Sequence, residues 1–286
     1  MKHFIHYFSD DQRVRLDCLI TEPAGEAPYL NRARPAVIVC PGGGYNFCSN
    51  REAESVALKY AAAGFQAFVF RYTVGQAATF PTPLLELCRA MQYVRENAEQ
   101  FHLLPDRVAV CGFSAGGHLA ASLGVYWNDP AILAACGATG RELRPDMLIL
   151  GYPVISTSWM ENGNQYARIA GGDTGDEMYR KLNLHLAVNA DTPPTFLTHG
   201  TADPAVPVRD SLQFAAALEA CNVPFEMHIY SHATHGYSSA DDTCYEVGDG
   251  DPVIAGWLPL SIEWLRRNIA GELDRPVKKA VYSAKY

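Results

Sequence analysis

Short apolar runs alternate along the chain with segments whose apolar residues recur at helical spacing. The runs that we interpret as strands are Val14–Ile20, Ala36–Cys40, Ala67–Tyr72, Val108–Cys111, Met147–Leu150, Thr195–Thr198 and Phe225–Tyr230. The helical segments between and after them are Glu52–Ala63, Leu84–Asn97, a segment from Ser114 onward, Ser211–Ala220 and Ile254–Ile269. Unbroken apolar runs are typical of strands that are buried on both faces. We therefore predict an α/β fold with a mostly parallel central sheet and helices on both of its faces.

The pattern predicts one domain over residues 1–286. Residues 154–190 have no clear strand and contain the glycine-rich stretches Asn162-Gly163-Asn164 and Gly171-Gly172. We interpret this region as a small cap insertion over the functional site and not as a second domain. The polar tail, residues 271–286, is predicted to be loosely held.

The charge and composition exclude several classes of function. The net charge is −8 and the sequence pI is about 5.6, whereas nucleic-acid binding requires clustered Lys and Arg. The first residues lack the apolar core of a signal peptide, and no run reaches the ~18 apolar residues of a membrane span. Eight cysteines form no CxxC pair, so reduced thiols are expected. We predict a cytoplasmic protein with no nucleic-acid partner and no membrane partner.

The candidate nucleophile is Ser114 in the run Gly112-Phe113-Ser114-Ala115-Gly116-Gly117. A bare G-x-S-x-G is common by chance, but here a predicted strand precedes it and a predicted helix follows. A serine at such a sharp turn projects its hydroxyl above the sheet, at the positive end of the helix dipole. The alternative is a phosphate-binding loop, which would require G-x-x-x-x-G-K or G-x-G-x-x-G, and the run matches neither pattern.

A serine hydroxyl needs an adjacent base, and the candidate base is one of nine histidines. His232 and His235 follow the last predicted strand, which is where the base of such a fold belongs. His235 precedes Gly236, whose freedom lets the loop aim the ring, so we assign the base to His235. A metal site at this pair is the alternative, but no carboxylate or cysteine stands at ligand spacing. We expect no metal and no cofactor.

The candidate acid is Asp203, just after the predicted strand that ends near Gly200. It would hold the imidazole tautomer and stabilise the imidazolium. An Asx turn before Pro204 is the alternative, and the two roles can coexist.

The candidate oxyanion hole is the run Gly42-Gly43-Gly44, which follows the Ala36–Cys40 strand. Backbone N–H groups of these glycines, with that of Ala115 after the nucleophile, could face a developing oxyanion. A flexible loop is the alternative. Tyr45 and Tyr152 are candidate substrate-stacking residues, although scattered aromatic residues more often belong to a core.

Taken together, the motifs resemble those of bacterial α/β-hydrolase esterases of the acetyl esterase and acetylxylan esterase kind. They are, in order, CPGGGY, GFSAGGHLA, LGYPV, HGTADPAVPV and HATHG, and the resemblance covers about residues 30–270. Pro41 stands where lipase-like relatives have the His of HGGG, a departure that leaves the glycine backbone intact. The resemblance implies an α/β-hydrolase fold and the removal of small acyl groups, often acetyl, from sugars.

This resemblance leads to a serine carboxylesterase as the predicted function, with a small-molecule ester, such as an acetylated oligosaccharide, as substrate. Three alternatives stay open. An arylformamidase or lactone hydrolase would use the same triad. A peptidase of the prolyl-oligopeptidase type shares the domain, but no propeller-forming segment precedes it here. A non-catalytic binding protein of this fold usually lacks a triad member. The sequence does not determine the oligomeric state.

Overall fold

A computed structural model describes residues 1–23, 32–157, 165–173, 175–246 and 248–271 of the chain. Within them, eight strands form one sheet in the order β1-β2-β4-β3-β5-β6-β7-β8. The strands are β1 (Lys2–Tyr7), β2 (Arg15–Ile20), β3 (Arg34–Cys40), β4 (Gln66–Arg71), β5 (Leu103–Phe113), β6 (Met147–Gly151), β7 (Thr195–Gly200) and β8 (Phe225–Tyr230). All seven predicted strands are present, and β1 is an addition.

The sheet is mostly parallel, as predicted. Only the pairs β1–β2 and β2–β4 are antiparallel; the pairs from β4 through β3, β5, β6 and β7 to β8 are parallel. The chain leaves β3 for β4 on one side and later returns to β5 on the other side. Such a switch point opens a crevice at the carboxyl ends of the strands, where ligands bind in open α/β sheets.

Helices cover both faces of the sheet. They are α1 (Glu54–Ala62), α2 (Thr82–Glu96), α3 (Ser114–Tyr126), α4 (Pro130–Cys136), α5 (Gln165–Ile169), α6 (Asp176–Leu182), α7 (Arg209–Ala220), α8 (Pro252–Ala255) and α9 (Trp257–Ile269). Alternate residues of β3 belong to opposite cores: Ile38 to the one that also contains residues of α2, α3 and α7, and Val37 and Val39 to the one that contains residues of α1 and α9. This period of two explains why the run is apolar throughout.

Two predicted helices differ from the observed ones. The segment predicted from Glu52 begins as a 3-10 turn, Asn50–Glu52, before α1 starts at Glu54. The segment predicted over Ile254–Ile269 is two helices, α8 and α9, that meet at Gly256. The short helix α4 was not predicted, although Asp129 caps it through the N–H groups of Ala131 and Ile132.

The predicted cap insertion, residues 154–190, contains α5, α6 and a 3-10 turn at Leu184–Leu186 but no strand in its described part. Residues 158–164 and 174 lie outside the described residues, as does the predicted tail from 272 onward. The single-domain assignment and the cap therefore stay predictions. No helix in the described ranges is long and apolar enough to cross a bilayer.

Candidate active site

Ser114 lies at a sharp turn between β5 and α3. Its φ of +52° is in the left-handed region, which is uncommon outside glycine, whereas the preceding Phe113 is extended at −120°. The turn is tight because α3 packs directly on the end of β3. A Cβ added at Gly116 would collide with the carbonyl oxygens of Cys40 and Pro41. Strain of this kind is costly and persists only where surrounding packing enforces it.

The three predicted triad residues lie together in one hydrogen-bonded chain. The Ser114 hydroxyl is 2.9 Å from His235 Nε2, and His235 Nδ1 is 2.7 Å from Asp203 Oδ2. The first contact lets Nε2 accept the serine proton, and the second fixes Nδ1–H as the donor to the carboxylate. This is the arrangement that activates a serine for attack on a carbonyl carbon.

The side chain of Asp203 is fully buried, and its carboxylate is surrounded by donors. Oδ1 accepts from the backbone N–H groups of Ala205 and Val206, and His199 Nε2 lies 3.3 Å from Oδ2. Burial by itself would raise the pKa of Asp203, but the hydrogen bonds from His199, His235 and Val206 hold this pKa well below its ordinary value. Asp203 is therefore ionised at any pH at which His235 is neutral and can accept a proton. The Asx turn and the contact to His235 coexist.

The other candidate base, His232, does not contact Ser114. Its Nε2 is 2.7 Å from Asp251 Oδ2, and 57% of its side chain is exposed. The two histidines of this loop therefore have different carboxylate partners, which does not resemble a shared metal site. In the described part of the chain, no group of three or more His, Cys, Asp or Glu side chains could hold a metal ion.

The structure reduces the set of predicted oxyanion donors from four residues to three. The Gly42 N–H donates to Glu52 Oε2 at 2.8 Å, so the inclusion of Gly42 as an oxyanion donor is corrected. None of the hydrogen bonds found among the described residues uses the N–H of Gly43 or Gly44. The Ala115 N–H lies in the first turn of α3, where helical N–H groups have no intrahelical acceptor. The backbone N–H groups of Gly43, Gly44 and Ala115 are thus available to donate to an oxyanion.

Glu52 and Arg168 both bind the loop of residues 42–47, called the glycine loop below. Neither residue was predicted from the sequence. Glu52 is 3% exposed and contacts Gly42. The Arg168 guanidinium of α5 donates to the carbonyl oxygens of Gly44 and Tyr45 at 3.3 Å and of Gly75 at 2.5 Å. Glu52 could have been found, because it stands four residues before the buried Val56 on one helical face, where a carboxylate needs partners.

The predicted stacking role of Tyr45 and Tyr152 is corrected. Tyr45 is 4% exposed and its hydroxyl is 3.0 Å from His118 Nδ1. Tyr152 is completely buried, with its ring centroid 5.1 Å from that of His235. A buried ring has no free face for a sugar, so neither tyrosine can stack on a substrate.

An exposed aromatic ring lies instead on the glycine loop. Phe47 is 60% exposed, and its ring touches the position that a Cβ of Gly43 would occupy. The ring borders a groove of about 630 Å³ whose polar lining includes Asn46, Thr73 and Arg13. A groove of this size can hold a small ligand.

Comparison with known proteins gives the same picture of the fold. The family model BD-FAE matches residues 27–218. An acetyl ester-xyloside bifunctional hydrolase from Caldicellulosiruptor lactoaceticus has a solved structure that is 32% identical. It superposes with a TM-score of 0.76, covering 94% of this chain and 96% of that one.

Two curated relatives are longer than this chain. The acetylxylan esterase of Xylanibacter ruminicola is 28% identical over 247 residues, which are 82% of this chain and 46% of the relative. Endo-1,4-beta-xylanase B of Butyrivibrio fibrisolvens is 32% identical over 225 residues, which are 76% of this chain and 34% of the relative. The chain thus spans between a third and a half of the length of these two proteins.

Proposed function

Because the chain belongs to the BD-FAE family and has the α/β-hydrolase fold, we propose that it is a serine carboxylesterase. Its substrates are small acyl esters, above all acetyl esters of sugars such as acetylated xylo-oligosaccharides. The observation that supports this most is the chain of contacts from Ser114 through His235 to Asp203, at the N-terminus of α3.

In the proposed mechanism, Ser114 Oγ attacks the ester carbonyl carbon while His235 Nε2 takes the hydroxyl proton. The negative charge that develops on the carbonyl oxygen is met by N–H groups of Ala115, Gly43 and Gly44. His235 then gives its proton to the leaving alkoxide, and the alcohol departs. His235 then takes a proton from a water molecule that attacks the acyl carbon, and it returns this proton to Ser114 Oγ as the bond between Oγ and the acyl group breaks and the carboxylic acid leaves. Asp203 stabilises the imidazolium in both steps.

Carbohydrate is the proposed alcohol part for two reasons. One similar protein is named an acetylxylan esterase and another an acetyl ester-xyloside bifunctional hydrolase. The groove beside the glycine loop has an exposed aromatic ring, Phe47, next to hydroxyl, amide and guanidinium groups. Aromatic faces combined with such polar groups suit the mixed apolar and hydroxylated surface of a sugar.

One substrate panel tests the proposal. Purified protein is assayed on p-nitrophenyl acetate, p-nitrophenyl butyrate, an acetylated xylo-oligosaccharide, methyl ferulate, an N-formyl arylamine, a lactone and a peptide. We expect the highest kcat/KM on the acetyl esters. Preference for the formamide or the lactone would instead support the other hydrolases that use the same triad.

The nucleophile is tested by Ser114→Ala, which is expected to lose at least ~10³-fold in kcat, since only binding and the oxyanion donors remain. The measurement is the initial rate on p-nitrophenyl acetate, with circular dichroism to confirm folding. Hydrolysis at the wild-type rate by the folded variant would refute the mechanism.

A further inference from the structure

The buried carboxylate of Glu52 joins the two loops on which the proposed chemistry depends. Its Oε2 accepts from the Gly42 N–H at 2.8 Å, and its Oε1 accepts from the Tyr152 hydroxyl at 2.7 Å. The Tyr152 oxygen in turn accepts from the Ser238 N–H at 2.9 Å. Gly42 belongs to the glycine loop and Ser238 to the loop of His235, so these three contacts span the site.

Tyr152 also contacts the base directly. Its ring packs edge-on against the His235 ring, at 5.1 Å between centroids, and against Tyr237 at 4.5 Å. The hydroxyl therefore fixes the tyrosine at one end while its ring supports the imidazole. A shift of Glu52 would move both the glycine loop and the surface on which His235 rests.

Stability alone does not explain a carboxylate at this position. Glu52 is 3% exposed, and no Lys, Arg or His of the described residues forms an ion pair with it. Burying a charge that only hydrogen bonds compensate is costly. Costs of this kind are found where a protein gives up stability for activity.

The negative charge also suits the proposed reaction cycle. When His235 accepts the serine proton it becomes a cation, and Tyr152 separates this cation from the Glu52 carboxylate by one side chain. In a site that excludes water, such an attraction is stronger than in bulk solvent. The charge would also oppose the oxyanion, an effect that the hydrogen bond from the Gly42 N–H to Glu52 Oε2 reduces.

We propose that Glu52 is a positioning residue, which acts through Gly42 and Tyr152 to set the distance between the oxyanion donors and His235. This inference rests on the proposed esterase function. The glycine loop and the loop of His235 then move as one unit, and the free N–H groups of Gly43 and Gly44 stay aimed at the oxygen of the carbonyl group whose carbon Ser114 attacks.

The first test is Glu52→Gln, which keeps the size of the side chain and removes the charge. We expect kcat to fall by about 10- to 100-fold with little change in KM, because a small displacement of aligned groups is costly in the transition state. We expect the melting temperature to change little, because removing a buried charge offsets the loss of one of the two acceptor oxygens. A structural residue would show the opposite pattern, with lower stability and intact kcat.

The second test is Tyr152→Phe, which removes the hydroxyl and keeps the ring against His235. It should lower kcat by a similar factor. The double variant should lose about as much as the worse single variant, because both changes break the same connection. If Glu52→Gln does not fold, Tyr152→Phe alone decides, and wild-type kcat in that variant overturns the inference.

A reversible transition-state analogue gives a readout besides turnover. Ser114 Oγ adds to the carbonyl carbon of an aryl trifluoromethyl ketone, His235 takes the proton, and the new oxyanion occupies the hole. The Ki of this ketone should rise in Glu52→Gln by the same factor as kcat/KM falls. An unchanged Ki would overturn the inference.

The matched control is Glu219→Gln, the same chemical change on another helix. Glu219 is an exposed residue of α7, so activity within about twofold of wild type is expected. Ser114→Ala is measured alongside. If that variant stays active, the proposed function fails; if it is inactive while Glu52→Gln and Tyr152→Phe behave as wild type, only this inference fails.

Discussion

His232 and His235 stand three positions apart in one loop and have separate tasks. His235 lies between Ser114 and Asp203. His232 contacts Asp251, whose other oxygen accepts from Val253 and Ile254 at the start of α8. His232 therefore anchors the base loop to a neighbouring helix, while His235 is placed to move the proton.

We expect His235→Ala to abolish turnover, since triad members act as a unit. His232→Ala should cost about 10-fold or less, by loosening the loop that aims the base. The measurement is kcat/KM for the two folded variants side by side. An inactive His232→Ala beside an active His235→Ala would reverse the assignment.

His118 contributes a pH dependence to stability. It is buried, its Nδ1 faces Tyr45 and its Nε2 donates to the Leu182 carbonyl. Burial lowers the pKa of His118 from 6.5 to about 4. Below pH 6.5 the unfolded chain therefore binds a proton at His118 that the folded chain does not bind. The contribution of this buried, neutral side chain to the free energy of unfolding is complete above pH 6.5 and is lost as the pH falls toward 4.

The expected loss from this residue is about 2 kcal/mol of unfolding free energy between pH 7.5 and pH 5. Urea unfolding at the two pH values measures it, and His118→Gln, which stays neutral, is the control. The difference between the two pH values should shrink in that variant. An equal difference in both proteins would show that His118 is not the cause.

The residue types along the sequence predicted the candidate triad better than they predicted the contacts that support it. Ser114, Asp203 and His235 could be found because each follows a predicted strand, and carboxyl ends of parallel strands meet at one edge. Gly42 and Tyr152 were misjudged for a shared reason. Their neighbour Glu52 is 10 residues from Gly42 and 100 residues from Tyr152 in the chain, and only the folded molecule shows that it accepts from the N–H of one and from the hydroxyl of the other.

The helix α5 carries the residue that ties the predicted cap to the glycine loop. One Arg168 guanidinium reaches the carbonyls of Gly44, Tyr45 and Gly75. A planar group with several donors can contact three acceptors at once, which a lysine ammonium on a flexible stem does less well.

Arg168→Lys should therefore lower kcat by about 10-fold, because the glycine loop loses an anchor. The measurement is kcat on p-nitrophenyl acetate, with melting temperature as a check on folding. Arg180→Lys, an exposed arginine of α6, is the matched control and should behave as wild type. Equal activity of the two variants would contradict an anchoring role for Arg168.

At this scale the sequence predicted strands well and short elements poorly. Buried strands such as β3 and β6 form continuous apolar runs, so their positions are visible in the sequence. Strand β1 is half exposed, and α4 has only seven residues, too few for a clear periodicity. The helix predicted over Ile254–Ile269 divides at Gly256, and Pro259, which has no N–H, cannot donate to the carbonyl of Ala255.

Considered as a whole, the molecule is held together without disulfides. All eight cysteines lie in the described residues and all are free thiols. Burial raises the pKa of Cys111 and of Cys40, so these thiols are inert at neutral pH.

The melting temperature should therefore be the same with and without dithiothreitol, and eight thiols should react with Ellman's reagent after denaturation. Both measurements are made on protein purified in air and on protein purified under reductant. A lower melting temperature on reduction would reveal a covalent link that the fold does not contain.

The groups of the candidate active site are divided evenly along the chain. The glycine loop, Glu52 and Ser114 precede the exposed turn at Gly137, whereas Tyr152, Asp203 and His235 follow it. The two parts meet where β5 pairs with β6. If the chain were divided at this turn, each of the two polypeptides would lack three of these groups. Ester cleavage would return only when the two polypeptides reassociate. Fused to two other proteins, the halves would form a reporter whose colour reaction signals that those proteins have bound each other.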